Sequence, residues 1–123
     1  MELGKDETRA FLFAIGDYSR FAILAELLER DMCVNEIVKS TGIGQSNVSH
    51  HLICLSNCGF VKVKRRCKER VYSINDDVRP IIKSMLDHIK TYKESILSCN
   101  IANKAYVSKV ILKSNIMDKF DYR

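Results

Sequence analysis

The sequence predicts a mainly α-helical domain carrying one small β-hairpin, an α+β arrangement. Three observations carry that expectation. Apolar residues recur at helical spacing through residues 19–30, 45–57 and 78–96. Between the second and third of these the period switches to two, at residues 60–64 and 70–74. With 123 residues, 46% of them hydrophobic and only one a proline, the chain affords a single core and little room for a second domain.

Each element has its own reason. Phe11, Leu12, Ala14 and Ile15 belong to a first amphipathic segment, which Gly16 stops. Asp17 or Ser19 is placed to cap the next helix, 19–30, where Phe21, Leu24, Leu27 and Leu28 recur at helical spacing. Residues 34–41 fit a short helix with Ile37 and Val38 inward and Gly42 at its end. Residues 45–57 give another, with Val48, Leu52 and Leu55 on one stripe and Gly59 beyond it. Residues 60–64 alternate apolar and basic, as a half-solvated strand does, and 70–74 alternate likewise, so the residues between them make a hairpin tip. A long helix is expected from Asp77, with Val78, Ile82, Met85, Ile89, Tyr92 and Ile96 on one face and an acidic residue at its start, where the helix dipole favours it. The expected domain is 1–100, with 101–123 a helical extension.

Charge is concentrated in one place. Residues 61–70 hold six basic residues and one acid, while the rest of the chain sums to zero. Such a patch is suited to a polyanion, since like charges held together repel until something neutralises them. No apolar run reaches the roughly 18 residues of a membrane span, and the first ten residues have no apolar core of a secretion signal. Five cysteines, an odd number, argue against a secreted disulfide scaffold, so a reducing cytoplasm is the expected location. An enzyme is not expected. There is no phosphate-cradling glycine loop, no H-E-x-x-H and no C-x-x-C, and His50, His51 and His88 lack evident nucleophile and carboxylate partners.

Two helices joined at Gly42-Ile43-Gly44 and followed by a basic hairpin form a helix-turn-helix with a wing. The second helix suits a major groove. Its Gln45, Ser46, Asn47, Ser49 and His50 lie off the core stripe and are expected to meet base edges and phosphates. Lys62, Lys64, Arg65, Arg66, Lys68 and Arg70 of the wing would reach flanking phosphates. His51 is expected to be half-buried. Residues 33–74 resemble the winged helix-turn-helix of ArsR/SmtB-type repressors. The matching features are Gln45-Ser46-x-Val48-Ser49-x-His51-Leu52, then Leu55, Gly59-Phe60-Val61 and a basic hairpin ending in Tyr72. The resemblance spans about residues 10–99. It implies a homodimer, paired through the first and long last helices, that represses a double-stranded pseudo-palindromic operator and lets go when an effector binds.

Cys54 and Cys58 stand four residues apart on the reading helix, flanking its core stripe. Their Cβ atoms would be about 6 Å apart, too far for an unstrained disulfide but easily bridged by a soft cation. The segment is similar to CmtR-type cadmium- and lead-responsive repressors. That resemblance implies a trithiolate of Cys54, Cys58 and Cys99, selective for large soft ions such as Cd(II) or Pb(II), with no obligatory cofactor. The competing reading makes the two cysteines half-buried fillers. Cys33 occupies the position where persulfide-sensing members of the family carry a redox cysteine, so a Cys33–Cys99 pair is an alternative switch. Cys67 sits among cations at the wing tip, too remote to join either site. A non-sensing winged-helix module, binding DNA constitutively or acting as an adaptor, is the remaining rival.

Overall fold

The computed structural model describes residues 4–99 and residue 102. The order is α1 (Lys5–Gly16), α2 (Tyr18–Glu29), β1 (Met32–Cys33), α3 (Val34–Thr41), α4 (Gln45–Asn57), β2 (Val61–Arg66), β3 (Glu69–Ile74) and α5 (Arg79–Leu97). The described residues fall into two compact units, one ending at Val78 and one beginning at Arg79.

In the first unit α2, α3 and α4 pack together, and α2 and α4 also meet the sheet. Their shared interior holds Ile23, Leu24, Leu27, Ile37, Val48, Leu52, Leu55, Phe60 and Ile74, all 0–1% exposed. Each such side chain contributes roughly 1.5–3 kcal/mol of transfer free energy. Asp17 caps α2 by accepting from the Arg20 N–H at 3.0 Å, as its position in sequence leads one to expect.

The turn between α3 and α4 is set locally. Gly42 takes the left-handed conformation (φ 75°), and its N–H donates to the Val38 carbonyl at 2.9 Å. Thr41 Oγ1 donates to the Ile37 carbonyl at 2.7 Å and accepts from the Ile43 N–H at 3.2 Å. These bonds fix the angle at which α4 leaves α3.

The sheet is antiparallel in the order β1-β3-β2. β1 has no sequence signal, because two residues carry no period. Met32 pairs with Tyr72 and Cys33 with Val71, so β1 closes the outer edge of β3 and ties the wing's root to the entry of α3. The root of β2 is held as well: Asn75 donates from its N–H to the Phe60 carbonyl at 3.0 Å and from Nδ2 to the Gly59 carbonyl at 2.7 Å.

Alternation predicts Val63 on an inward face, but it is 50% exposed. β2 outruns the body of the domain after Val61, whereas β3, covered on its other edge by β1, still buries Val71, Ser73 and Ile74.

The long helix begins at Arg79 rather than Asp77. Its start is displaced by a turn in which the Val78 N–H donates to the Asn75 carbonyl at 3.0 Å. Pro80, which has no N–H to leave unpaired, suits the first turn that follows. The backbone departs from helical geometry at Tyr92 (φ −109°, ψ 19°), so the stripe predicted as continuous to Ile96 is interrupted there. Apart from Ala102, the helix expected over 101–117 lies outside the described residues.

Candidate nucleic-acid interface and thiol pair

α4 turns Val48, Leu52 and Leu55 inward and leaves Gln45, Ser46, Asn47, Ser49 and His50 exposed. All five predicted reading residues therefore stand on solvent-facing positions of one helix. Hydroxyl, amide and imidazole groups there can donate to and accept from base edges.

The wing presents the charge. β2 and β3 run in register from Val61 opposite Ile74 to Arg66 opposite Glu69, leaving Cys67 and Lys68 as a two-residue tip. Cys67 takes φ 57°, a left-handed conformation unusual for a side-chain-bearing residue, which a reversing turn of this length requires. Lys64, Arg65, Arg66, Lys68 and Arg70 are exposed, and Arg65 stands directly opposite Arg70. Lys62, nearer the root, lies 3.8 Å from the Asp76 carboxylate.

One residue that sequence reasoning missed joins α1 to α4. Arg20 donates from Nε to the Ala14 carbonyl at 2.7 Å and from Nη2 to the Phe13 carbonyl at 3.2 Å. Its guanidinium lies 5.9 Å from the Phe13 ring centroid, and Nη1 is 3.5 Å from His51 Nδ1. It thus meets carbonyls that the end of α1 leaves unpaired and touches the reading helix at once. The signal was the single cation in α2, but its partners are set by tertiary packing.

His51 is half-buried, as expected, and burial lowers its pKa, helped by Arg20 and His50 and opposed by Asp17. A guanidinium can only donate, so the 3.5 Å approach suits the tautomer in which Nδ1 accepts. Replacing Arg20 with methionine keeps the bulk but removes the fork. The expected loss is about 1–3 kcal/mol of stability in urea unfolding. Arg20→Lys is expected to recover less than half of it, since a point charge cannot reach both carbonyls and the imidazole.

Cys54 and Cys58 are half-buried, and their thiols are near enough to act on each other. Burial pushes the Cys58 thiol up, the neighbouring Cys54 adds to the rise, and the charge of Arg20 opposes it. The pair opens on a groove of about 440 Å³ walled by Ala10, Phe13 and Ala14 of α1, with Asp6 and Arg9 also lining it.

The other cysteines stand apart. Cys33 is buried at the start of α3, where its N–H donates to Glu36 Oε1 at 3.1 Å. Arg30 grips the same carboxylate at 2.7 Å, and the two bonds together hold Glu36 at a pKa of about 2. Cys67 is exposed at the wing tip, and Cys99 follows α5 in the second unit, its Sγ accepting from the Ala102 N–H at 3.4 Å. Among the described residues no group of three or more His, Cys, Asp or Glu side chains is gathered as a metal cluster. No helix among them is long and apolar enough to cross a membrane.

A three-helix core, a recognition helix with a polar outer face and a basic hairpin beside it define a winged-helix nucleic-acid reader. Residues 17–63 match the family model described as bacterial regulatory protein, arsR family. The chain is 40% identical over 82 residues to an uncharacterized HTH-type transcriptional regulator of Methanocaldococcus jannaschii, a match covering 64% of this chain and 92% of that one.

The chain belongs to the arsR family of bacterial regulatory proteins. It is 38% identical over 71 residues to a probable mercury resistance operon repressor of Streptomyces lividans, covering 58% of this chain and 57% of the relative. It is 33% identical over 63 residues to the HTH-type transcriptional regulator CmtR of Mycobacterium bovis, covering 51% and 53%. The chain thus spans little more than half the length of these two relatives. The crystal structure of Mycobacterium tuberculosis Rv0081 superposes with a TM-score of 0.66 at 29% identity, over 83% of this chain and all of that one.

Proposed function

We propose that the chain is a transcriptional repressor released from its operator by a soft, thiophilic metal ion. One observation carries the reading: the helix that exposes the polar face also carries the thiol pair at its end, with Cys54 in its last turn, one turn beyond His50, and Cys58 as its C-cap. A homodimer would set two copies of α4 about 34 Å apart, over two half-sites of a pseudo-palindrome. We assign DNA binding and dimerisation to residues 1–100, and 101–123 to a C-terminal extension.

Two adjacent thiols opening on a groove fit a soft cation such as Cd(II) or Pb(II), with Cys99 the third sulfur donor. The cation would supply strong bonds to two neighbouring sulfurs. Cys54 and Cys58 must each give up a proton, then hold their turn of α4 in the geometry the thiolates demand. Arg20 lies near enough for its charge to act on Cys58 and also touches His51, so new negative charge on sulfur draws on the same guanidinium that steadies α4. The effector favours the DNA-free state by its differential affinity, and DNA weakens effector binding by the same factor. The similarity to a probable mercury resistance operon repressor of Streptomyces lividans supports a thiophilic effector. The alternative Cys33–Cys99 switch draws less support, because Cys33 is buried at a helix start and Cys54 and Cys58 already form a pair.

The test is an anaerobic titration of reduced protein with Cd(II), followed by ultraviolet absorbance, alone and on operator DNA. A thiolate-to-metal band saturating at one ion per chain with DNA release is expected. Cys54→Ser or Cys58→Ser should bind the operator as before and release at least tenfold less readily. Because protons leave the thiols, apparent Cd(II) affinity should rise with pH below the thiol pKa, by about tenfold per unit for each proton displaced. A band without DNA release, or none, would defeat the proposal.

A further inference from the structure

We infer that Ile53 reads a thymine 5-methyl group in the major groove and so sets part of the operator's base preference. The inference rests on the DNA-reading role proposed above.

Ile53 is 61% exposed on α4, while Leu52 and Leu55 of the same helix are 0–1% exposed. At about 100° per residue, Ile53 lies about 140° round the helix from Val48, beside Ser46 at about 160° and His50 at about 200°. It therefore stands on the polar outer face, not on a shoulder of the core. It is also seven residues past Ser46, about 10.5 Å along the axis, which stays within the roughly 12 Å width of a major groove.

Folding gives Ile53 no reason to be there. A β-branched side chain is a poorer helix former than the lysine, glutamine or arginine an exposed position usually carries. Left in water it gains nothing from burial. Against DNA the position acquires a purpose with one chemical outcome. Of the four bases only thymine offers a methyl group in the major groove; the other edges there present hydrogen-bond donors and acceptors or a small C–H. An isoleucine side chain can neither donate nor accept, so the base it favours is thymine, whose methyl gives the largest apolar contact. The flanking Ser46, Ser49 and His50 supply the polar contacts, and the wing's cations hold the helix in register on the phosphates.

The experiment begins with selection of binding sites from a random duplex library by wild-type protein and by Ile53→Ser, with Ile53→Ala as a second variant that keeps helix propensity. Wild-type sites should carry a thymine at a fixed place in each half-site, and both variants should lose that preference alone. Replacing that thymine by deoxyuridine removes only the methyl. It should weaken wild-type binding about fourfold per half-site, the equivalent of about 0.8 kcal/mol for one buried methyl-sized group, and leave Ile53→Ser unchanged. Identical selected sites for all three proteins, or an equal deoxyuridine effect on wild type and variant, overturn the inference while leaving the DNA reader intact. Should wild-type protein select no sequence at all, the reader itself fails. Circular dichroism of the variants, matching wild type, separates lost contact from lost fold.

Discussion

Replacing Phe60 with alanine is expected to destabilise the domain by about 3–5 kcal/mol, the range for emptying a buried aromatic site. The ring is fully buried and stacked on Phe11 with centroids 4.7 Å apart, so its loss also strips α1 of an aromatic partner. The backbone compounds the effect. The Phe60 N–H donates to the Leu55 carbonyl at 2.9 Å, and its carbonyl accepts from Asn75 at 3.0 Å, so the residue joins the end of α4 to the root of the wing. Domains of this size hold only about 5–15 kcal/mol in reserve. Urea unfolding followed by circular dichroism should show a large drop in midpoint, and operator binding should fail at temperatures the wild type tolerates. Val63→Ala, three residues along the same hairpin but half exposed, should change stability by no more than about 0.5 kcal/mol. Equal effects at the two positions would mean the core does not close at Phe60.

Phe60 also shows what was legible in the sequence. Its place follows from a change of period, after the stripe Val48, Leu52, Leu55 and the stop at Gly59, and the structure has it at that junction. Where a pattern repeats several times, the element is found. Where it does not, the element is missed: β1 is two residues long and exists because β3 offers it an edge. The break at Tyr92 is likewise invisible to a count of apolar residues, since Tyr92 sits in phase with the stripe and departs only in backbone angle.

The candidate site divides the same way. The polar face of α4 and Cys54 are properties of one helix, so the sequence alone places them, while Cys58, expected on the same helix, stands just past its end as the C-cap. Arg20 is different, because its partners are carbonyls of Phe13 and Ala14 and a ring nitrogen of His51, on two other helices. Backbone acceptors carry no residue identity, so no motif announces the arginine that meets them. The groove beside the thiols was hidden for a related reason. Phe13 walls it while being 78% exposed, a placement set by where α1 lies against α4.

The wing makes the second large prediction, and its sign reverses between folding and binding. Arg65 and Arg70 face each other across the hairpin, a like-charge pair that weakens the free ladder by a few tenths of a kcal/mol. Changing both to glutamine should therefore leave the free protein as stable as wild type or slightly more so. DNA binding should suffer. In the proposed dimer the double variant removes four positive charges, and each phosphate contact contributes about 0.9 to the slope of log affinity against log salt. The slope should become shallower by three to four, and affinity near 0.15 M salt should fall on the order of a thousandfold. Base preference should not move, because phosphate contacts carry register rather than sequence. Fluorescence anisotropy from about 0.05 to 0.3 M salt, on one selected operator and one scrambled duplex, reads all three quantities. An unchanged slope would place the wing off the DNA. A loss confined to the selected operator would make these arginines readers of bases, and the division of labour between α4 and the hairpin would have to be redrawn.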